Sequence, residues 1–214
     1  MKKHTIRIVG GEYRRTPIPV VDAPGLRPTP DRVRETLYNW VSHFWAGDYS
    51  GKRVLDLFAG TGALGFEAAS RGAAHVQMVE SHPGALAALR ALRNKLDALQ
   101  VRVHAGSATL VVDRLGDARY DLVLVDPPFG TDALTPLWEK FPGVLSEDGL
   151  LYIEAEHPVE PPPEFEVLRR SKAGHVHFQL LRFAAAQENV NNHPSSERPS
   201  DACDAPPLPT FKNA

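Results

Sequence analysis

The segment Arg53-Val-Leu-Asp-Leu-Phe58 runs directly into Ala59-Gly60-Thr61-Gly62-Ala63-Leu64-Gly65. An apolar run of strand length, a glycine turn and then an apolar-periodic helix through about Arg71 form the first part of a strand-helix-strand unit. The pattern repeats, with strands expected near 53–58, 75–80, 101–104, 121–126 and 149–155 and helices near 62–71, 83–97, 107–115 and 132–140. Such alternation commits the chain to a mostly parallel sheet with helices on both faces. At 214 residues and 43% hydrophobic content, one α/β domain with a sizeable core accounts for it.

The glycine turn also says something about ligands. Glycines are needed where a ligand approaches the backbone closely, and the helix that follows turns its free amides and positive dipole end toward that ligand. The next strand, His75-Val-Gln-Met-Val-Glu80, ends on an acid placed to accept hydrogen bonds from ribose hydroxyls. Gly60-x-Gly62-x-x-Gly65 followed by Glu80 matches a dinucleotide fingerprint, and the spacing does not reject a nicotinamide cofactor. Asp56 favours a different one. A carboxylate just before the turn repels a pyrophosphate and attracts an amine. S-adenosylmethionine carries a sulfonium and an ammonium, whereas NAD brings two phosphates. The competing structural role for Asp56 is to cap the loop amides.

A second motif sits at the end of the run Leu122-Val-Leu-Val125, where Asp126-Pro127-Pro128-Phe129 begins. In open α/β sheets, ligands bind outside the carboxyl ends of the strands. The prolines donate no amide hydrogens and hold the backbone stiffly, and each pushes the residue before it to extended geometry. The carbonyls of Asp126 and Pro127 are thereby left without ladder duties, beside one carboxylate and one aromatic face. A flat amine fits that arrangement; a rigid loop with a packed Phe is the bland alternative.

Together, Asp56-x-Phe58-x-Gly60-x-Gly62, Glu80 and Asp126-Pro-Pro-Phe129 resemble class I S-adenosylmethionine-dependent methyltransferases that modify exocyclic amines of bases. The amino-terminal block is narrower. Arg7-Ile-Val-Gly-Gly-Glu-Tyr-Arg14, followed by Pro24-Gly-Leu-Arg-Pro-Thr-Pro-Asp-Arg-Val-Arg-Glu-Thr-Leu-Tyr-Asn-Trp40, resembles the bacterial 16S ribosomal RNA guanine-N2 methyltransferase family over roughly residues 5 to 183. The resemblance implies a Rossmann-like sheet, S-adenosylmethionine as cofactor and 16S ribosomal RNA, within a small-subunit particle, as partner. It assigns Asp126, Pro127, Pro128 and Phe129 to catalysis and Asp56, Phe58, Gly60, Gly62, Glu80 and Ser107 to the cofactor. Ser107 follows the third strand, where such enzymes contact adenine, and its bland role is a helix N-cap.

The ends of the chain carry other signals. Residues 1–50 are expected to form a basic extension, with a β-hairpin over Thr5 to Val21 punctuated by Gly10-Gly11, Pro17 and Pro19. A helix follows, with Thr29 as N-cap, Pro30 at its first position and Val33, Leu37, Trp40 or Val41, and Phe44 as its buried stripe. Although the net charge is −2, residues 1 to 40 hold eight basic side chains against four acidic ones, a footprint suited to phosphates. Arg14, Arg15, Arg32 and Arg34 are the candidate RNA contacts. After Pro161-Pro-Pro163, Phe165 to Arg170 and Val176 to Phe183 read as a terminal antiparallel hairpin around Ala173-Gly174, closing the catalytic unit of residues 51–183. Residues 184–214, with five prolines among Asn and Ser, are expected to be a disordered tail.

Composition narrows the chemistry. The single Cys203 supplies no disulfide framework, and its place in the tail disfavours a thiolate nucleophile of the kind needed for methylation at cytosine C5. The nine His are scattered, so no metal centre is expected. No apolar run reaches the ~18 residues of a membrane span, and the amino terminus lacks the apolar core of a signal peptide. A cytoplasmic monomer is expected. Guanine rather than adenine rests on the family resemblance, since Asp-Pro-Pro-Phe also serves N6-adenine methyltransferases. An RNA-binding assembly factor that keeps the pocket without chemistry is the alternative from another class.

Overall fold

A computed structural model of the chain describes residues 5–20 and 29–184. The apolar runs line up side by side, as strands buried on both faces must. After the short strands β1 (Thr5–Arg7) and β2 (Pro17–Pro19) and the helix α1 (Asp31–Phe44), the alternation begins: β3 (Arg53–Asp56), α2 (Ala63–Ser70), β4 (His75–Glu80), α3 (Pro83–Lys95), β5 (Val101–Ala105), α4 (Ala108–Val112) and β6 (Tyr120–Val125). A 3-10 helix (Thr135–Lys140) and α5 (Phe141–Val144) lead into β7 (Leu145–Ala155), and β8 (Phe165–Ala173) and β9 (Val176–Phe183) close the chain's described part.

The seven-stranded sheet has the order β5-β4-β3-β6-β7-β9-β8. Its first five strands are parallel, and β9 is antiparallel to both β7 and β8. The mostly parallel sheet with a terminal antiparallel hairpin is therefore as expected. β1 and β2 pair antiparallel as a separate two-stranded ribbon, Ile6 opposite Ile18. From β3 the chain first builds outward through β4 to β5, then returns to pair β6 on the other side of β3. The order reverses there, and a crevice opens at the carboxyl ends of β3 and β6.

Alternation along the strands sends side chains to two cores. Val54, Leu122, Leu124, Leu150, Tyr152 and Phe178 face one side and pack with α1, α2, α3 and the β1-β2 ribbon. Leu55, Val123, Val125, Leu151 and Ile153 face the other, against α4, the 3-10 helix and α5. Every residue of α2 is buried, because the sheet covers one side and the ribbon another. Glu67 therefore lies in the interior of α2 at 0% exposure, and its carboxylate is used in full. It accepts from the amides of Val9 and Gly10, each at 2.8 Å, and from Arg71 at 2.9 and 3.1 Å. The ribbon is thereby tied to the sheet domain through a charge-assisted clasp.

Two local expectations are corrected. Within the expected helix over 132–140 the structure has a 3-10 helix at Thr135–Lys140 rather than an α-helix, and Pro142 lacks the amide that would continue an i to i−4 ladder beyond it. Thr29 does not cap α1. Pro30 occupies the N-cap position without a side-chain cap, and the Thr29 hydroxyl is spent elsewhere. The expected stripe of α1 does face inward: Val33, Leu37 and Val41 are buried, with Trp40 and Phe44 packed at its margin. Val21 and residues 185–214, and with them the expected disordered tail, lie outside the described residues.

Candidate active site

A cleft of about 920 Å³ lies over the carboxyl ends of the central strands. Its floor is the turn after β3. Leu57 donates to the carbonyl of Leu124 and Ala59 to that of Val79, at 3.0 and 2.9 Å, so the turn is stitched to both neighbouring strands. Gly62 closes it with φ +81° at the N-cap of α2. A Cβ at Gly62 would stand 2.5 Å from the Leu89 side chain and 2.6 Å from Phe66, so both the backbone angle and the packing demand glycine here.

Glu80 is held by the turn it serves. Its Oε2 accepts from the Gly60 amide at 2.8 Å, and Oε1 accepts from Ser81 and His82, each at 2.7 Å. A carboxylate offers about four lone-pair sites, which leaves one on Oε2 for a hydroxyl in the cleft. Ser107 lines the cleft, and it caps α4 by accepting from the Leu110 amide at 3.5 Å. Phe58 lines the cleft and packs against the second core.

Across the crevice, Asp126, Pro127, Pro128 and Phe129 all line the same cleft. Asp126 is half-buried and accepts from the Thr29 hydroxyl at 3.2 Å. Pro128 offers its carbonyl to the Thr131 hydroxyl at 2.7 Å, which pins the loop. No hydrogen bond among the described residues uses the Pro127 carbonyl, as its lack of ladder duties suggests. Phe129 is half-buried, its ring packed against the first core.

Asp56 takes the bland role of the two open to it. It lies behind the cleft rather than lining it, 1% exposed, with Oδ2 accepting from the Gly65 amide at 3.1 Å. Burial, and after it the nearby Asp126 charge, pushes its carboxyl up to about 7. Its Oδ1 is buried without a hydrogen-bond partner.

One residue of importance was not singled out from sequence. Glu154 lines the cleft, 2% exposed, at the end of β7. Register explains the meeting. Asp56 pairs with Leu124 and Leu124 with Tyr152, so Asp126 and Glu154, each two residues further on, face the same side of the sheet. The acids of β3, β6 and β7 thus converge at adjacent strand ends. The signal was present as the run Leu150-Leu-Tyr-Ile ending in an acid, the same pattern that marked Asp56, Glu80 and Asp126. Among the described residues, no group of three or more His, Cys, Asp or Glu is placed to hold a metal ion.

The basic residues divide. Arg14, Arg15 and Arg32 are exposed, but Arg34 is not available on a solvent face as expected. It is 0% exposed, paired with Asp31 at 2.5 Å and with Glu67 at 3.7 Å. The position lies next to Val33 in the inward stripe, and the two carboxylates, Asp31 on its own helix and the buried Glu67, supply the counter-charge that lets an arginine stay there. Among the described residues, no helix is long and apolar enough to cross a membrane.

Comparison with known proteins agrees with this geometry. The family model described as Conserved hypothetical protein 95 matches residues 6–182. The ribosomal RNA small subunit methyltransferase D of Escherichia coli K12 is 37% identical over 86% of this chain and 93% of its own. The protein of the same name from Haemophilus influenzae is 32% identical over 84% of this chain and 95% of its own. The solved structure of the Escherichia coli protein yhhF superposes with a TM-score of 0.74 at 36% identity, covering 85% of this chain and 99% of that one. By sequence across nearly all of its strands and by the shape of its sheet, the chain belongs to the family described as Conserved hypothetical protein 95.

Proposed function

We propose that this chain transfers a methyl group from S-adenosylmethionine to N2 of one guanine in 16S ribosomal RNA, acting as a cytoplasmic monomer on a small-subunit particle. The observation that carries the reading is the Asp126-Pro127-Pro128-Phe129 turn, which faces the glycine turn and Glu80 across one cleft. A volume of about 920 Å³ is at the upper end of ordinary cofactor clefts and leaves room for a base beside a nucleoside. The residues fit the cofactor. Glu80 keeps one acceptor site for a ribose hydroxyl, Gly60 and Gly62 keep the floor bare, and Phe58 and Ser107 flank the ring position.

When bound, the cofactor supplies an electrophilic methyl on a sulfonium. The rest is the work of the protein. An exocyclic amine has its lone pair delocalised into the ring and attacks poorly until its pyramidal form is favoured. Acceptors aimed at its protons do that, and the Asp126 carboxylate and the Pro127 carbonyl are two such acceptors fixed in advance. Phe129 offers a stacking face to a base that has left its helix. Alignment at near-attack distance then supplies much of the acceleration. Arg14, Arg15 and Arg32 give the phosphate-binding surface, with Arg34 reassigned to the interior.

Radiolabelled methyl transfer to 16S RNA, naked and within subunits from a strain lacking the gene, followed by nucleoside analysis, tests the reading. N2-methylguanosine is expected. N6-methyladenosine would transfer the site to adenine chemistry, and binding without transfer would make the chain an assembly factor.

A further inference from the structure

We propose that Arg169 and Arg182, gathered on the ring of Phe44, form a second phosphate-binding site that holds the RNA strand away from the cleft. The inference rests on the reading that the substrate is RNA. Phe44 ends α1, and two strands reach it from the sheet. The guanidinium of Arg169 on β8 lies 5.2 Å from the ring centroid, and that of Arg182 on β9 lies 5.7 Å from it. Register puts both there. Arg169 pairs with Leu180, which faces the first core, and Arg182 is two residues beyond Leu180, so both side chains leave the sheet on the α1 side.

The fold gives these two heads no counter-charge. Among the described residues Arg34, Lys52, Arg71, Lys140 and Arg170 each meet a carboxylate, whereas Arg169 and Arg182 meet none. Glu166 stands opposite Arg182 in the β8-β9 ladder without forming an ion pair with it. Arg169 Nη1 donates to the Leu168 carbonyl at 2.7 Å, and Arg182 Nε is buried without a hydrogen-bond partner. The aromatic face explains where the stems lie, but at such a site it offsets little of the charge. The carboxyl end of α1 adds about half a negative elementary charge, against two full positive ones. Two planar forks side by side then suit a phosphate, to which each guanidinium can donate a pair of hydrogen bonds.

The pair ends a surface that begins at the cleft. Thr29 and Pro30 line the cleft, α1 starts at Asp31, and at 1.5 Å per residue Phe44 lies about 20 Å further along. Arg32 and His43 are exposed near the two ends of α1, and their spacing of three full turns puts them on one side of it. The His43 ring stands edge-on to Phe44 at 5.3 Å. Near this line the acids of α1 are Asp31, which is paired with Arg34, and Glu35 in the next turn. A strand whose target base enters the cleft therefore follows α1 from Arg32 to Arg169 and Arg182. Contacts of this kind fix register and orientation and read no sequence.

Binding of the full-length protein to 16S RNA, measured against salt with S-adenosylhomocysteine present, tests the site. Two phosphate contacts contribute about 1.4 to 1.8 to the slope of log K against log salt, which is about 25- to 60-fold in affinity between 1 M and 0.1 M salt. Arg169→Gln combined with Arg182→Gln should lose that much of the slope and keep the parent's cofactor affinity. Arg169→Lys combined with Arg182→Lys should keep the slope, because both charges remain. A parent slope in the double Gln variant overturns the inference, and so does an equal loss in the double Lys variant, which would make the effect one of packing on Phe44. Weaker transfer to subunits with an unchanged slope on naked RNA would give the pair to a protein of the particle and overturn it too. Should the Gln variant not fold, modification of the parent by phenylglyoxal decides. 16S RNA should protect Arg169 and Arg182 and leave reactive the exposed Arg114, just after α4 on the opposite face of the sheet. Equal modification of the pair with and without RNA overturns the inference. A parent that binds 16S RNA without salt dependence sinks the RNA reading itself; a steep parent slope unaltered in the Gln variant sinks this site alone.

Discussion

Asp56→Asn is expected to change how the stability of this protein depends on pH. The Asp56 carboxyl is 1% exposed, and burial followed by repulsion from Asp126 raises it from an ordinary 3.8 to about 7 in the folded chain. In the unfolded chain it titrates near its ordinary value. Between about pH 4 and about pH 7 the folded chain thus holds a proton that the unfolded chain has released, and stability falls as pH rises through that window. The contribution is complete below the unfolded value and lost above the folded one. At about 1.4 kcal/mol per pH unit, a window of about three units corresponds to about 4 kcal/mol. Asn removes the titration and keeps an amide oxygen to accept from the Gly65 amide, which Asp56 holds at 3.1 Å. Denaturant unfolding of parent and variant over this pH range gives the difference in stability. That difference should move in favour of the variant by up to about 4 kcal/mol from the acid to the alkaline end. Parallel stability profiles would show that Asp56 does not hold a proton in the fold, and the account of it as an uncompensated buried acid would be wrong.

Other perturbations separate the parts of the site. Asp126→Ala should lower single-turnover transfer by ~10² or more while calorimetric affinity for S-adenosylhomocysteine stays nearly constant, and Asp126→Asn should retain more activity because one acceptor survives. Glu80→Ala should weaken that affinity by about 1 to 3 kcal/mol, since it removes both the ribose acceptor and the partner of three loop amides. Glu67→Ala should destabilise the fold by about 3 to 5 kcal/mol in denaturant unfolding, with loss of amide protection at Val9 and Gly10, because it strips those amides and Arg71 of their acceptor and removes the buried one of the two carboxylates beside Arg34.

Much of the fold was legible because its signals are local. A parallel strand buried on both faces is a continuous apolar run, a ligand-facing turn needs glycine, and a proline pair ends a strand wherever it stands. The sequence of Arg53 to Gly65 therefore announced β3, the turn and α2, and Asp126-Pro-Pro-Phe129 announced the end of β6. The pairing of Phe165 to Arg170 with Val176 to Phe183 was equally readable, although β8 extends to Ala173.

What the sequence determined by itself was the order of strands and helices, the cofactor-side glycines and the acids Asp56, Glu80 and Asp126 at three strand ends, since each depends on a residue and its near neighbours. Which acids meet, and what neutralises them, was decided only by the tertiary structure. Thr29 reads as a helix cap until β6 brings Asp126 within 3.2 Å of it. Arg34 reads as a surface charge until α2 presents Glu67 from the interior, and Asp56 reads as a ligand contact until the Gly65 amide claims it. A hydrogen-bond partner far along the chain leaves no periodicity to be read, because it is selected by the register between strands and by exclusion of water, and both exist only once the sheet has formed.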